Sequence, residues 1–90
     1  MSEELFELGE IKVTPAALEM ITQFGVLFVL NCHVIGNYGN VSEVDYKLNQ
    51  WAIDNGERIL STYSGIWEKP IFVVTERDRS VTTVLLAEDY

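Results

Sequence analysis

Few residues in this chain have side chains that could carry covalent chemistry. The 90 residues include one cysteine, Cys32, and one histidine, His33, which are neighbours in sequence. Nucleophilic catalysis needs a thiol or hydroxyl next to a base that can take its proton. Adjacent residues point in different directions on a helix and to opposite faces on a strand, so this pair does not predict a dyad. We interpret Cys32 as a small core residue and His33 as a residue near a helix end, where the helix dipole favours partial protonation.

Metal and phosphate sites have equally little support. Zinc sites use three or four cysteine, histidine or carboxylate ligands, and calcium loops need more alternating oxygen ligands than Glu76 and Asp78 supply. The glycines of Gly36–Gly39 have the spacing of a nucleotide-binding or RNA-binding loop but lack the accompanying basic residue. We therefore predict an ordinary loop there, and neither a metal nor a cofactor.

The most polar segment is Thr75–Thr83. Arg77 and Arg79 could present guanidinium groups to a carboxylate or a phosphate. The alternative, which we favour, is a hairpin turn in which aspartate and serine side chains bond the local backbone while arginine and aspartate pair. Pairs of carboxylates could act as general acid and base, but their spacing alone does not indicate a shared pocket. We expect this chain not to be an enzyme.

Acidic residues dominate the charge: 14 Asp and Glu against six Lys and Arg give a net charge of −8. Such a field repels phosphate backbones and anionic membranes and attracts basic protein surfaces, although it also serves solubility alone. A single cysteine fits a reducing compartment. The start of the chain lacks the pattern of a signal peptide, and the apolar run Val26–Ile35 is too short to span a bilayer. These features predict a cytoplasmic protein.

The N-terminal half is predicted to contain a strand and then helix. Leu8–Val13 has the pattern of a short strand, and Thr14 and Pro15 are typical of a helix cap and a first helical position. An apolar stripe at helical spacing follows, formed by Ala17, Leu18, Ile21 and Phe24. Gly25 is then expected to end the helix. The composition of Val26–Ile35 fits either a strand or a helix.

The C-terminal half predicts one helix and three strands. Gly36–Asn40 is expected to be a loop, and the helix Ser42–Asn55 is expected to be capped by Ser42 and ended by Gly56. Its predicted apolar stripe is formed by Val41, Val44, Leu48, Trp51 and Ala52. The predicted strands are Arg58–Ser64, Glu68 or Lys69 to Thr75, and Val81–Leu86.

Residues 1–90 therefore predict a single acidic α+β domain in the order β-α-α-α-β-β-β. We expect a small antiparallel sheet that combines the N-terminal strand with a C-terminal three-stranded meander. Two or three helices should pack on one face of this sheet.

A set of residues between His33 and Tyr90 matches the pattern of one protein family. The matching residues are His33, Gly36, Tyr38, Gly39, Asp45, Asn49, Ala52, Gly56, Arg58, Ile59, Ser61, Tyr63, Thr75, Glu76, Asp78, Arg79, Ser80, Thr82, Thr83, Leu85, Leu86 and Tyr90. On these residues the chain resembles a largely uncharacterised family of small acidic proteins encoded on bacterial plasmids and other mobile elements. The Asp-Arg-Ser-x-Thr-Thr segment is the most specific part of the resemblance.

The resemblance implies a helix at Val26–Ile35 and a role in a mobile element. It suggests an inhibitor of host defence, of the anti-CRISPR or antirestriction type, that occupies the basic nucleic-acid-binding surface of a CRISPR effector or restriction enzyme. Alternatives are a non-enzymatic accessory or regulatory protein, with a homodimer through Val26–Val34 or through an exposed strand edge as one form, and a small nucleic-acid-processing enzyme. The chain departs from the family in having Asn37-Tyr38 where an Asp-Trp pair is common, and in the apolar character of Val26–Val34.

Charged residues are concentrated near the two ends of the chain. The candidate partner-binding residues are Glu3, Glu4, Glu7, Glu10, Glu76, Asp78, Arg79, Glu88 and Asp89. If the first and last strands pair, the terminal carboxylates should converge into one negative patch. We expect a basic protein to bind there, with no direct binding of nucleic acid or membrane.

Overall fold

The elements of the fold follow a simple order along the chain. The computed structural model describes residues 3–90. Its elements are the strand β1 (Glu10–Val13), the helices α1 (Pro15–Val34) and α2 (Glu43–Asn55), the strands β2 (Ile59–Tyr63), β3 (Ile71–Thr75) and β4 (Val81–Leu86), and a 3-10 helix (Ala87–Asp89). The α+β class is confirmed, with two helices where three were expected.

The four strands form one mixed sheet in the order β1-β4-β3-β2. The meander β2-β3-β4 is antiparallel, as predicted, and β3 lies between its two partners. β1 pairs with β4 in parallel, with Glu10 beside Val81 and Val13 beside Val84. The prediction of a purely antiparallel sheet is therefore wrong at β1. No hairpin ties β1 to β4, and the two helices and two strands between them provide the crossover that a parallel pair needs.

Helix α1 begins as the sequence predicts and runs further. The hydroxyl of Thr14 accepts a hydrogen bond from the backbone N–H of Ala17 at 3.3 Å, and Pro15 occupies the first turn. The helix includes the segment from Val26 to Val34, so the ambiguous apolar run is helical. α1 is also long and apolar enough to cross a membrane by length and composition, and 44% of that window is buried inside the fold.

The backbone of α1 breaks at Thr22, which has φ 64° and ψ 177°. This conformation is almost restricted to glycine, since a Cβ crowds the backbone there. The break changes which side chains face the sheet. Ile21 is buried, whereas Leu18 is 46% and Phe24 85% exposed. The predicted stripe is therefore wrong at Phe24, which follows the break, and it is also wrong at Leu18, which precedes the break and faces away from the buried Ala17 and Ile21.

Gly25 does not end α1 and instead provides space within it. A Cβ at this position would lie 2.7 Å from Cβ of Ile21 and 3.1 Å from the ring of Trp67. Trp67 packs against the main core cluster, which includes Val29, Ile71 and other residues of α1 and the sheet. The glycine thus lets the indole approach the helix.

Helix α2 has the predicted caps but not the predicted buried face. Ser42 accepts a hydrogen bond from the N–H of Asp45 at 3.1 Å, and Gly56 ends the helix with φ 64°. Asn49 and Ala52 are its buried residues. The stripe positions Val44, Leu48 and Trp51 are 55–67% exposed, so this part of the prediction is wrong. The helix rests on β2 through its small and polar side, which leaves most of the apolar stripe in solvent.

The outer edge of the sheet at β2 is covered by the side chain of Asn49 and by the loop that contains Tyr38 and Gly39. The amide of Asn49 donates to the carbonyl of Leu60 at 2.8 Å and accepts from the Leu60 N–H at 3.2 Å, as a neighbouring strand would. Further along, Thr62 donates its N–H to the carbonyl of Tyr38 at 3.0 Å. Gly39 lies against the backbone of Thr62, where no side chain would fit. This covering opposes edge-to-edge pairing of sheets from different molecules.

Candidate protein-binding surface

A buried chain of hydrogen bonds crosses the helix-covered face of the sheet. His33 is 0% exposed, and its Nδ1 and Nε2 lie 2.5 Å from Oγ of Ser61 and 2.8 Å from Oγ1 of Thr75. Thr75 lies 2.7 Å from the hydroxyl of Thr82, which donates to the carbonyl of Leu8 at 2.7 Å. The network ties α1, three strands and the N-terminal segment together.

The donor and the acceptor of each hydrogen bond in this network follow from the carbonyl of Leu8, where the network ends. The carbonyl of Leu8 can only accept, so Thr82 donates to it and its oxygen is left to accept from Thr75. Thr75 then accepts from Nε2–H of His33, and the unprotonated Nδ1 accepts from the hydroxyl of Ser61. A neutral imidazole with the proton on Nε2 therefore satisfies every bond, and within residues 3–90 no buried side-chain nitrogen or oxygen lacks a partner.

Burial keeps His33 neutral. It lowers the pKa of His33 to about 3, because the charged form would lose its hydration without gaining a counter-ion. The expectation of a partly protonated histidine at a helix end is wrong for this reason. Ser61 and His33 have the residue types of a nucleophile and its base, but both are 0% exposed. The arrangement holds the core together and offers no access to a substrate.

Arg79 is directed into the fold. Its guanidinium donates to the carbonyls of Ala52 at 2.8 Å and Glu57 at 2.6 Å, at the end of α2, and to Glu76 at 3.1 Å. It also lies 5.9 Å from the centre of the Phe6 ring. The carbonyl of Ala52 also accepts the capping N–H of Gly56, so the guanidinium adds a further bond there and joins the end of α2 to the β3–β4 turn.

Asp78 and Ser80 bond locally, as the turn interpretation expects, but the expected pairing of arginine with aspartate is wrong, because Arg77 binds Glu57 and Arg79 binds carbonyls. Asp78 accepts from the N–H of Ser80 at 3.0 Å and from its hydroxyl at 2.6 Å. The hydrogen bond from the Ser80 hydroxyl holds the pKa of Asp78 below its usual value, and the bond from the Ser80 backbone N–H contributes in the same direction to a smaller extent. Glu76 lies 4.0 Å from Arg58, and Arg77 pairs with Glu57 at 3.0 Å.

Exposed carboxylates gather along the N-terminal segment. We define the acidic strip as Glu3, Glu4, Glu7, Glu10 and Asp78, all of which are exposed. Backbone bonds fix both ends of this segment: Leu5 donates to the carbonyl of Val34 at 2.9 Å, and Glu10 donates to Ser80 at 2.9 Å. The second bond places the segment next to the turn that carries Asp78.

The carboxylates at the end of the chain do not join this strip. β1 and β4 do pair, but their parallel direction places the acidic strip at the start of β4. Glu88 and Asp89 follow the other end of β4, about 17 Å away at 3.3 Å per residue. Glu88 is also paired with Lys69 at 3.2 Å. The expected convergence of the two terminal sets is therefore wrong.

Sequence reasoning missed the partners of His33. Ser61, Thr75 and Thr82 carried no sign of a shared site, because they lie on three different strands. The alternation within each strand does place each of them on the same face as apolar core residues, which was the available signal. Within residues 3–90 no group of three or more His, Cys, Asp or Glu side chains could hold a metal ion.

Comparison with known proteins adds no identity. No family model, no curated protein and no solved structure matches this chain.

Proposed function

We propose that this chain is a non-enzymatic protein-binding domain whose acidic strip occupies a basic, nucleic-acid-binding surface of another protein. The observation that carries the proposal is the strip itself. Its five carboxylates are exposed on one anchored segment and the turn beside it. Within residues 3–90 no salt bridge involves any of them.

The distribution of positive charge strengthens the field around this strip. Four of the six Lys and Arg side chains pair with carboxylates elsewhere: Lys47, Arg58, Lys69 and Arg77. The other two cations lie close to the strip: Lys12 follows Glu10 on β1, and Arg79 is held by backbone carbonyls beside Asp78. The five carboxylates exceed these two charges, and a net negative surface steers a basic partner towards it over distances comparable to the Debye length.

The anchoring of the segment also favours binding. Leu5 and Glu10 fix its backbone, and the ring of Phe6 packs edge-to-face on His33 with centroids 5.2 Å apart. Carboxylates on a backbone that is already ordered lose less conformational entropy on binding than those on a flexible tail. This is the geometry expected of a surface that competes with nucleic acid.

The biological form of this activity that the family resemblance favours is inhibition of a CRISPR effector or a restriction enzyme. An accessory or regulatory role in a mobile element is the main alternative. A nucleic-acid-processing enzyme has weaker support, because His33 is inaccessible and the Arg79 guanidinium is occupied by the fold.

The test is binding to a panel of purified CRISPR effectors and restriction enzymes in 50 mM salt, combined with DNA cleavage assays. The strip variant Glu4→Lys/Glu7→Lys/Glu10→Lys is compared with the control Glu19→Lys/Asp54→Lys/Glu68→Lys. The control makes the same change in net charge at exposed carboxylates outside the strip.

We expect the wild type and the control to bind and inhibit at least one panel member, and the strip variant to bind at least about 10-fold more weakly. The affinity of the wild type should fall as salt rises from 50 to 200 mM. An equal loss in both triple variants would show that net charge, and not the strip, is responsible. The absence of any binding at 50 mM salt would contradict the inhibitor proposal.

A further inference from the structure

A second surface of the molecule is apolar and carries no charge. We define the α1 outer face as Phe24, Leu27, Phe28 and Asn31, which follow the i, i+3, i+4, i+7 spacing of one side of a helix. The three apolar side chains are 85%, 62% and 52% exposed, and Asn31 is exposed beside them. Exposed phenylalanines grouped on one helix side differ from the scattered apolar residues of an ordinary surface.

The charge pattern of the sequence singles out the same region. No Asp, Glu, Lys or Arg occurs between Glu19 and Glu43, in a chain with 20 such residues among 90. His33, within this stretch, is buried and neutral. A partner that binds the α1 outer face through charge therefore has nothing to recognise there.

The same pattern suits a second copy of this chain. Two molecules with a charge of −8 repel each other, and the electrostatic free energy of contact is least unfavourable where neither surface carries charge. In a twofold contact the same patch of both copies takes part, so every carboxylate in the interface loses its hydration twice. The α1 outer face avoids this, whereas the apolar stripe of α2 is flanked by Glu43 and Asp54.

The exposed area is sufficient for a weak dimer. Taking about 200 Å² for a fully exposed large apolar side chain, the exposed fractions of Phe24, Leu27 and Phe28 leave roughly 400 Å² per copy. Two copies then bury about 800 Å² from these residues alone, and neighbouring atoms raise this towards the ~1,000 Å² of a specific interface. We expect affinity in the micromolar range.

We propose that this chain forms a twofold homodimer in which the α1 outer faces of two copies pack against each other. Asn31 has both a donor and an acceptor, so it can bond its counterpart across the twofold axis. A single uncharged polar residue within an apolar helix contact fixes the register of the two helices. This proposal does not depend on the acidic strip.

The test is analytical ultracentrifugation of the full chain from 1 to 500 µM, in 50 and 500 mM salt. Phe24→Ser/Phe28→Ser removes the apolar contact, and Leu48→Ser/Trp51→Ser is the matched control on the exposed side of α2. Asn31→Asp keeps the size of the side chain and adds a charge to the uncharged face. All five positions are exposed, so these variants should fold.

We expect the wild type and the α2 control to approach twice the 10.2 kDa monomer mass, with tighter association in 500 mM salt. Phe24→Ser/Phe28→Ser and Asn31→Asp should each raise the dimer dissociation constant at least roughly 30-fold. The salt effect is opposite in sign to that expected for the acidic strip, so either proposal can fail without the other.

A monomeric wild type at 500 µM in high salt overturns the proposal. Dissociation by the α2 variant and not by the Phe24/Phe28 variant also overturns it, because the interface then lies on α2. Sedimentation of a monomeric wild type with phosphatidylcholine vesicles, lost in Phe24→Ser/Phe28→Ser, would show that the face binds lipid and not a second copy.

Discussion

Lowering the pH from 7 to 5 should destabilise this fold through His33. The imidazole is the only one in the chain, is wholly buried, and accepts the Ser61 proton at Nδ1. Protonation of Nδ1 would turn this acceptor into a donor that faces the hydroxyl of Ser61. It would also place a charge in the core with no carboxylate bonded to it. The folded state therefore resists protonation that the unfolded chain accepts freely.

The sign and size of the effect follow from the two pKa values. Burial lowers the pKa of His33 to about 3 in the folded state, against about 6.5 in an unfolded chain. A depressed pKa gives stability that is complete above pH 6.5 and is lost as the pH falls towards 3. Each unit in this window costs about 1.4 kcal/mol. Between pH 7 and pH 5 the free energy of unfolding should fall by about 2 kcal/mol.

The measurement is urea unfolding followed by tryptophan fluorescence at half-unit steps from pH 7 to pH 5. Stopping at pH 5 keeps most carboxylates charged, since their protonation would relieve the repulsion of a −8 chain and act in the opposite direction. His33→Gln is the control, because its amide can still donate towards Thr75 but does not titrate. The variant should be less stable than the wild type at pH 7 and independent of pH.

Nuclear magnetic resonance tests the same reasoning at the atom concerned. The nitrogen shifts of the single imidazole should show a protonated Nε2 and a bare Nδ1 from pH 7 to pH 5. A Hε1 resonance of the folded protein that titrates near pH 6.5 would refute the argument. Stability that stays constant within about 0.5 kcal/mol over this range would refute it equally.

Two further predictions concern unusual backbone and carbonyl contacts. Thr22→Gly should stabilise the protein by about 1 kcal/mol despite the low helix propensity of glycine, because Thr22 occupies a conformation that glycine tolerates. The control Thr22→Ala retains the Cβ and should give no such gain. A lower urea midpoint for Thr22→Gly than for the wild type would contradict the claim that the Thr22 backbone is strained. Arg79→Lys keeps the charge but loses the fork that binds Ala52 and Glu57, and should cost about 1–3 kcal/mol. Arg77→Lys, at an exposed salt bridge, should stay within about 0.5 kcal/mol of the wild type, and equal losses in both variants would show that the fork is unimportant.

Signals that act over a few residues predicted their elements well. Thr14 and Ser42 cap the two helices, Gly56 ends α2, and Val81–Leu86 is a strand with the predicted limits. The cap outcomes depend on a hydrogen bond or a dihedral angle close to the residue concerned, so no distant partner is needed to produce them. The strand pairs with β1 and β3, but its limits were predicted from the polar turn before it and from the pattern of its own residues.

Features that depend on distant partners were not predictable. The direction of β1 is decided by where α1 carries the chain, and a strand pattern is the same in both directions. The apolar stripe of α2 has good helical spacing, but Val44 and Leu48 stay exposed because the helix packs through Ala52. His33 lies 28 and 42 residues from its two partners. Its role could not be predicted from its neighbours in sequence.

The family resemblance stays a prediction, since no family model or curated protein matches this chain. Several of the residues that suggested it form the bonds that hold this molecule together: His33, Asn49, Ser61, Thr75, Arg79 and Thr82. A protein that shares them would share the buried network and the covered sheet edge, whatever it binds. Leu27 and Phe28 of the α1 outer face and the glutamates of the acidic strip are not among these residues. Holding the fold together therefore explains neither surface, and binding is to be tested at both.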